Sequence, residues 1–202
     1  YHGVTLATSS LTGLPTIHGN FDLPQDMFLH TDSPHYFMNH NDGETEAEFL
    51  GRIVNNLEDL ILKEGPETIA AMFAEPLMGA GGVILPPDGY FEAIQPILLK
   101  YDIPLIDDEV ICGFGRTGNV WGAETFGMQP QSLTVAKALS SSYLPISAVI
   151  LSDEIYTPIA EKSGELGIFG HGYTYGGHPV SCAVALKTCL LYTSDAADDM
   201  QC

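Results

Sequence analysis

The sequence has 202 residues, of which 45 % are hydrophobic, enough to bury the core of one ordinary globular domain. Its 26 acidic residues against 7 basic ones give a formal net charge of -19, which would repel a nucleic-acid backbone. No apolar run is long enough to span a bilayer, and no pair among the four cysteines has CxxC spacing. We therefore expect no nucleic-acid or membrane partner, and a reducing, cytoplasmic location.

The pattern over residues 45–63 predicts the first long helix. Thr45 and Glu48 have capping-box spacing, and Gly65 follows as a stop signal. Apolar side chains recur on one predicted helical face at Phe49, Ile53, Leu57, Leu60 and Ile61.

Alternating strands and helices follow this helix. The stretch 67–76 is typical of a strand buried on both faces, and 88–100 is typical of a helix with Asp88 available as its cap. Pro96 inside that helix is expected to bend it. Three further strands are predicted at 102–110, 131–137 and 145–153, and a last helix at 178–188. Strand, helix and strand at this spacing predict a right-handed βαβ crossover.

Charged residues stand where three of these strands end. They are Glu75, the run Asp107, Asp108 and Glu109, and Lys137. Because ligands bind beyond the carboxyl ends of parallel strands, we expect a carboxylate and Lys137 to share a partly buried site. An amine in such a site can attack a carbonyl and form a Schiff base. On these residues alone, a solvated surface lysine in an exposed ion pair is the alternative.

Several longer motifs carry a family resemblance. "LIDDEVICGFGRTG" (105–118), "VAKALSSSYLPIS" (135–147) and "FGHGYTYGGHPV" (169–180) resemble motifs of the class III aminotransferases, which include omega-amino acid and polyamine:pyruvate enzymes using pyridoxal 5'-phosphate. "YHGVTLATSSLTG" (1–13) and "AEPLMGAGGVILPP" (74–87) match in the expected order. The resemblance implies an α/β fold of fold type I, with a mostly parallel sheet and flanking helices. Residues 1–188 would form part of its cofactor-binding large domain, which is incomplete here.

The resemblance also implies the catalytic pair. Lys137 matches the lysine that holds pyridoxal phosphate as a Schiff base and then moves the proton. Asp108 matches the carboxylate that keeps the pyridine nitrogen protonated, so that the ring accepts electrons. Asp107 stands where the family often has Ala and is the weaker candidate, since neighbouring strand residues point to opposite faces. A shift of one residue in the strand would exchange the two aspartates.

Four more residues match cofactor-binding positions of the family. Tyr1 matches an aromatic residue that stacks on one side of the ring, and Val110, placed on the face of Asp108, matches the residue on the other side. Glu75 matches a glutamate near the cofactor nitrogen, the alternative being a strand-end charge that faces solvent. Thr174 matches the threonine that donates to the cofactor phosphate of the partner subunit, which implies a homodimer.

The implied reaction moves an amino group from an omega-amine, beta-alanine-like or polyamine donor to a keto acid such as pyruvate. Ile111 stands where the ornithine and 4-aminobutyrate branches tend to have Gln, and so favours the omega-amine branch. The alternatives are an aminomutase or decarboxylase of the same family, or a truncated and catalytically incompetent α/β module. The family's phosphate-binding turn and substrate arginine lie outside this sequence, so we expect the 202 residues alone to be inactive.

The sequence departs from the family pattern at two motif positions, and its C-terminal tail and a group of histidines need separate interpretations. Ser142 occupies a position that is usually Gly, and Gly176 one that is usually Ser, so a positive φ at Ser142 would strain its loop. "CLLYTSDAAD" resembles an in-frame translation of a sequencing adapter, which predicts a non-native tail over 189–202. The histidines at 30, 35 and 40 lack the spacing of a metal site, and no metal is predicted.

Overall fold

A four-stranded sheet lies at the centre of the computed structural model, which describes residues 1–193. The strands are β1 (Met72–Ala74), β2 (Leu105–Asp108), β3 (Ser132–Val135) and β4 (Ala148–Leu151). They lie in the order β1-β2-β3-β4, with the first two pairs parallel and the last antiparallel. The predicted α/β fold with a mostly parallel sheet is confirmed.

Eight α-helices flank the sheet within the described residues. They are α1 (Leu6–Leu11), α2 (Pro15–His18), α3 (Tyr36–Asn39), α4 (Glu46–Glu64), α5 (Tyr90–Lys100), α6 (Gly122–Phe126), α7 (Asp153–Leu166) and α8 (Pro179–Thr193). Two 3-10 turns span Pro66–Thr68 and Lys137–Ser140. Over residues 1–193, no helix combines the length and the apolar character that crossing a membrane requires.

Helix α4 follows its sequence signals closely. Thr45 and Glu48 form the reciprocal capping box, and Gly65 ends the helix with a φ of 91°. The predicted apolar face is buried at Phe49, Ile53, Leu57 and Ile61, whereas Leu60 is half-buried. This face packs against α5 and β2 in the main core, which contains Tyr90, Phe91, Ile94, Leu98 and Leu105.

Two local expectations were wrong. Asp88 does not cap α5, because Gly89 is the N-cap residue and no side chain bonds to the first turn. Pro96 lies inside α5 as expected, and the bend it would cause there stays a prediction. The predicted strand 67–76 is shorter, and it is not buried on both faces, because Phe73 in the edge strand β1 is 38 % exposed. A short apolar run therefore indicated a strand without showing whether both of its faces were covered.

Candidate functional site

The carboxyl ends of β1, β2 and β3 meet at one edge of the sheet. Ala74 pairs with Asp107, and Asp108 pairs with Thr134, so Glu75, Asp108 and Lys137 follow neighbouring positions on adjacent strands. This parallel register places two carboxylates and a lysine at the edge where ligands bind in open α/β sheets.

Asp108 is a buried carboxylate with three hydrogen bonds. Its Oδ2 lies 2.7 Å from Nδ1 of His2, while its Oδ1 accepts from the Val110 amide at 3.1 Å and the Thr134 hydroxyl at 3.2 Å. Burial alone would raise the pKa of Asp108, but the hydrogen bonds and the nearby His2 hold that pKa below its ordinary value. Asp108 is therefore suited to remain ionised beside a cationic ligand.

Asp107 lies in the opposite environment. It is fully buried, and neither of its carboxyl oxygens has a donor among the described residues. Burial and the adjacent Glu109 carboxyl raise the pKa of Asp107 to about 9. A raised pKa favours the neutral form of Asp107, whose side chain lies in the core beside Glu109. This geometry favours Asp108 over Asp107 as the ligand-facing aspartate.

Glu75 is also buried, with its carboxylate held by backbone nitrogens. Oε1 lies 2.6 Å from the nitrogen of Tyr1, and Oε2 accepts from the Gly79 amide at 3.0 Å. The side chain is 5 % exposed, so the alternative of a solvent-facing charge is wrong. Tyr1 and Glu75 both line a cavity of about 690 Å³, whose wall also includes His2 and Phe73.

Lys137 opens the turn that follows β3. Its φ of 45° lies in the left-handed region, which costs a non-glycine residue conformational energy. The side chain is exposed, and among the described residues its amine makes no hydrogen bond or ion pair. Lys137 thus lies at the same edge as Asp108, but the expected burial of the lysine is not found within this chain.

The turn after Lys137 contains two more strained residues, Ser141 with a φ of 48° and Ser142 with a φ of 64°. The positive φ anticipated at Ser142 is therefore present. The Ser142 side chain makes no hydrogen bond within the described part of the chain, so removing it sacrifices no contact there.

We expect Ser142→Gly to stabilise the full-length protein by about 1 kcal/mol, because glycine adopts a positive φ without steric cost. The thermal unfolding midpoint measures the change. Ser163→Gly, within α7, is the matched control and should destabilise by about 0.5–1 kcal/mol. An unchanged or lower midpoint for Ser142→Gly would show that the turn is not strained.

Val110 and Thr174 differ in how the structure places them. Strand β2 ends at Asp108, so the strand alternation used to place Val110 was wrong; its backbone amide nevertheless binds Asp108. Thr174 lies exposed between α7 and α8, and no hydrogen bond joins it to another site residue among residues 1–193. The side-chain roles of Val110 and Thr174 towards a cofactor stay predictions.

Sequence reasoning missed two donors to Asp108. Thr134 lies opposite Asp108 in the parallel β2–β3 register, so it could have been found only by also predicting that these two strands are neighbours. His2 is separated from Asp108 by 106 positions along the chain, and its only signal was its place beside Tyr1 in the matching motif.

The chain belongs to the class III aminotransferase family. The family model described as "Aminotransferase class-III" matches residues 1–197, which confirms the resemblance carried by the motifs. The tail predicted from residue 189 stays a prediction: α8 continues to Thr193, and the remainder of that stretch lies outside the described residues.

Relatives and solved structures place the chain more closely. Gamma aminobutyrate transaminase 3, chloroplastic, of Solanum lycopersicum is 60 % identical over 192 residues, which cover 95 % of this chain and 37 % of the relative. Probable gamma-aminobutyrate transaminase 4 of Oryza sativa subsp. japonica is 57 % identical, with coverages of 95 % and 40 %.

Among solved structures, an omega transaminase from Pseudomonas jessenii in complex with PMP matches with a TM-score of 0.92 and 53 % identity, over 95 % of this chain and 42 % of that one. A structure described as "Transaminase with L-ala" matches with a TM-score of 0.93 and 55 % identity, over 95 % and 45 %. The chain spans less than half the length of each of these proteins.

Proposed function

We propose that the full-length protein containing this chain is a pyridoxal phosphate-dependent aminotransferase. The observation that carries the proposal is Asp108, a buried carboxylate held ionised by three donors at the strand edge that also bears Lys137. A pyridinium nitrogen needs such a carboxylate, and a carbonyl cofactor needs a primary amine. Membership of the class III family supports the same assignment.

The residues present fit this cofactor. Asp108 would bind the pyridine nitrogen and keep it protonated, while the Lys137 amine would bind the cofactor carbonyl and later carry a proton to and from the substrate carbon. When bound, the cofactor supplies an electron-accepting ring. Tyr1 and Val110 would pack against the two sides of that ring, and Glu75 would lie near its nitrogen.

The donor we propose is an omega-amine, a beta-alanine-like amino acid or a polyamine, with a keto acid such as pyruvate as acceptor. Ile111 packs so closely against Gly79 that a Cβ at position 79 would have no room. An apolar side chain therefore lies beside the loop whose Gly79 amide donates to Glu75. The relatives named as gamma aminobutyrate transaminases make 4-aminobutyrate a donor to test beside these.

We further propose a homodimer in which Thr174 serves the partner's cofactor phosphate. The segment around Thr174 has solvent-exposed aromatic side chains: Phe169 is 57 % exposed, and Tyr173 and Tyr175 are each 79 % exposed. Such an apolar surface supports contact with a second copy of the chain. Size-exclusion chromatography with light scattering tests the dimer, and a monomeric full-length protein would exclude it.

The proposed function is tested by covalent trapping. The full-length protein is incubated with pyridoxal phosphate, reduced with borohydride and digested, and its peptides are weighed by mass spectrometry. We expect the reduced adduct on Lys137, while Lys187 in α8 serves as the unmodified control. An adduct absent from Lys137, or present equally on Lys187, would refute the assignment. A trapped adduct on Lys137 in a protein that does not transaminate pyruvate would favour the aminomutase or decarboxylase alternative.

A further inference from the structure

Thr134 lies directly beside Asp108 in the sheet. In the parallel β2–β3 register Asp108 pairs with Thr134, and the Glu109 amide donates to the Thr134 carbonyl at 3.0 Å. On its other side β3 pairs with β4, where Thr134 lies opposite Val149. Strands on both sides therefore hold the Thr134 backbone in place.

The same register gives the two aspartates different neighbours. Residues paired across adjacent strands present their side chains on the same face of the sheet. Asp107 pairs with Leu133, whose side chain has no hydrogen-bond donor, whereas Asp108 pairs with Thr134, which has a hydroxyl. The Thr134 hydroxyl donates to Asp108 Oδ1 at 3.2 Å. A β-branched side chain has few χ1 rotamers, which limits the ways in which this hydroxyl can turn away.

The hydrogen bonds of Asp108 are divided unequally between its two oxygens. Oδ1 accepts from the Thr134 hydroxyl and the Val110 amide, while Oδ2 accepts from His2 alone among the described residues. Because each carboxylate oxygen has about two acceptor sites, Oδ1 is fully used and Oδ2 can accept one more hydrogen bond. The two donors at Oδ1 therefore orient the carboxylate and leave Oδ2 for a ligand.

We propose that Thr134 is a positioning residue, whose hydroxyl holds Oδ1 of Asp108 so that Oδ2 faces the cofactor nitrogen. This inference rests on the proposed function. Thr134 lies three residues before Lys137, at the end of the strand that leads into the lysine's turn. Its hydroxyl thus ties the carboxylate to the segment that carries the amine. Thr134 acts through Asp108 and takes no part in proton transfer.

The test compares three substitutions of Thr134 in the full-length protein. Thr134→Val keeps the β-branched shape but removes the hydroxyl. Thr134→Ser keeps the hydroxyl, and Thr134→Ala differs from Thr134→Ser only in lacking it. Ser132→Ala is the matched control, because Ser132 lies in the same strand and its hydroxyl donates to the Ile150 carbonyl instead. The readouts are the dissociation constant of pyridoxal phosphate, the visible absorption spectrum of the bound cofactor, and the pH dependence of kcat and KM for transamination.

We expect Thr134→Val to lower kcat by about 10-fold with KM nearly unchanged. This is the low end for a hydrogen bond to a charged group, because 3.2 Å is long for a hydroxyl donor. The bound cofactor should show an altered spectrum and weaker binding. Losing a donor raises the pKa of Asp108, so the fall in kcat on the acid side should move to higher pH.

The other variants separate the hydroxyl from general effects on the strand. Thr134→Ser should stay within a few-fold of wild type, and Thr134→Ala should match Thr134→Val. Ser132→Ala should leave kcat, the spectrum and the pH dependence unchanged. Equal kcat and cofactor affinity in Thr134→Ser and Thr134→Ala would overturn the inference, even if Thr134→Val does not fold. A loss of the same size in Ser132→Ala would also overturn it, because the effect would then come from disturbing β3.

Asp108→Ala distinguishes failure of this inference from failure of the proposed function. If Asp108→Ala impairs cofactor binding and activity while all Thr134 variants match wild type, the inference about Thr134 is overturned and the proposed function stands. If Asp108→Ala matches wild type as well, the proposed function itself fails.

Discussion

For the proposed transamination, Asp108→Asn is expected to lower kcat of the full-length protein by about 10²- to 10³-fold, the loss seen when a preorganised electrostatic partner is removed. The amide carries no charge to hold a proton on the pyridine nitrogen. Its NH2 group would also face the donors that now converge on the carboxylate, namely the His2 imidazole, the Val110 amide and the Thr134 hydroxyl. Steady-state transamination of pyruvate with an omega-amine measures the loss.

The neighbouring aspartate supplies the matched control. Asp107→Asn changes the same chemical group one residue away, but Asp107 faces Glu109 inside the protein. We expect its kcat to stay within a few-fold of wild type. The opposite result, with activity lost in Asp107→Asn and kept in Asp108→Asn, would mean that Asp107 is the cofactor's partner.

The strand ends could be predicted from sequence because their signals are local. Apolar runs of strand length stop at Glu75, Asp108 and Lys137, and parallel strands bring such ends to one edge. The capping box and stop signal of α4 lie within or beside the helix they define, and this helix was predicted correctly. The resemblance of the motifs to the family then predicted which of these charges face the cofactor.

The remaining features depend on contacts between distant segments. Nothing near His2 in the sequence indicates that its ring binds Asp108, and nothing near Phe73 indicates that β1 is an edge strand in this chain. The carboxyl of Asp107 was expected to face away from Asp108, but its lack of hydrogen-bond partners depends on the packing of the core around it. Periodicity shows which face a residue takes, and only the fold shows what fills that face.

The raised pKa of Asp107 should make the unfolding free energy of the protein depend on pH. Asp107 has an ordinary pKa of 3.8, which burial and the Glu109 carboxyl raise to about 9 in the folded chain. Between these values the folded state holds a proton that the unfolded state has released, so the unfolding free energy falls as pH rises. This loss of unfolding free energy is absent below about pH 3.8, grows between about pH 3.8 and pH 9, and is constant above about pH 9.

Asp107→Asn removes this dependence, because an amide is neutral at every pH. We expect the stability gain of the variant over wild type to grow by about 1 kcal/mol per pH unit between pH 5 and pH 8. Urea unfolding of the full-length protein across this range measures the gain. Asp59→Asn, at an exposed position of α4, should show no such trend. A gain that does not change with pH would mean that Asp107 is already ionised in the folded protein, with an unseen donor or cation satisfying it.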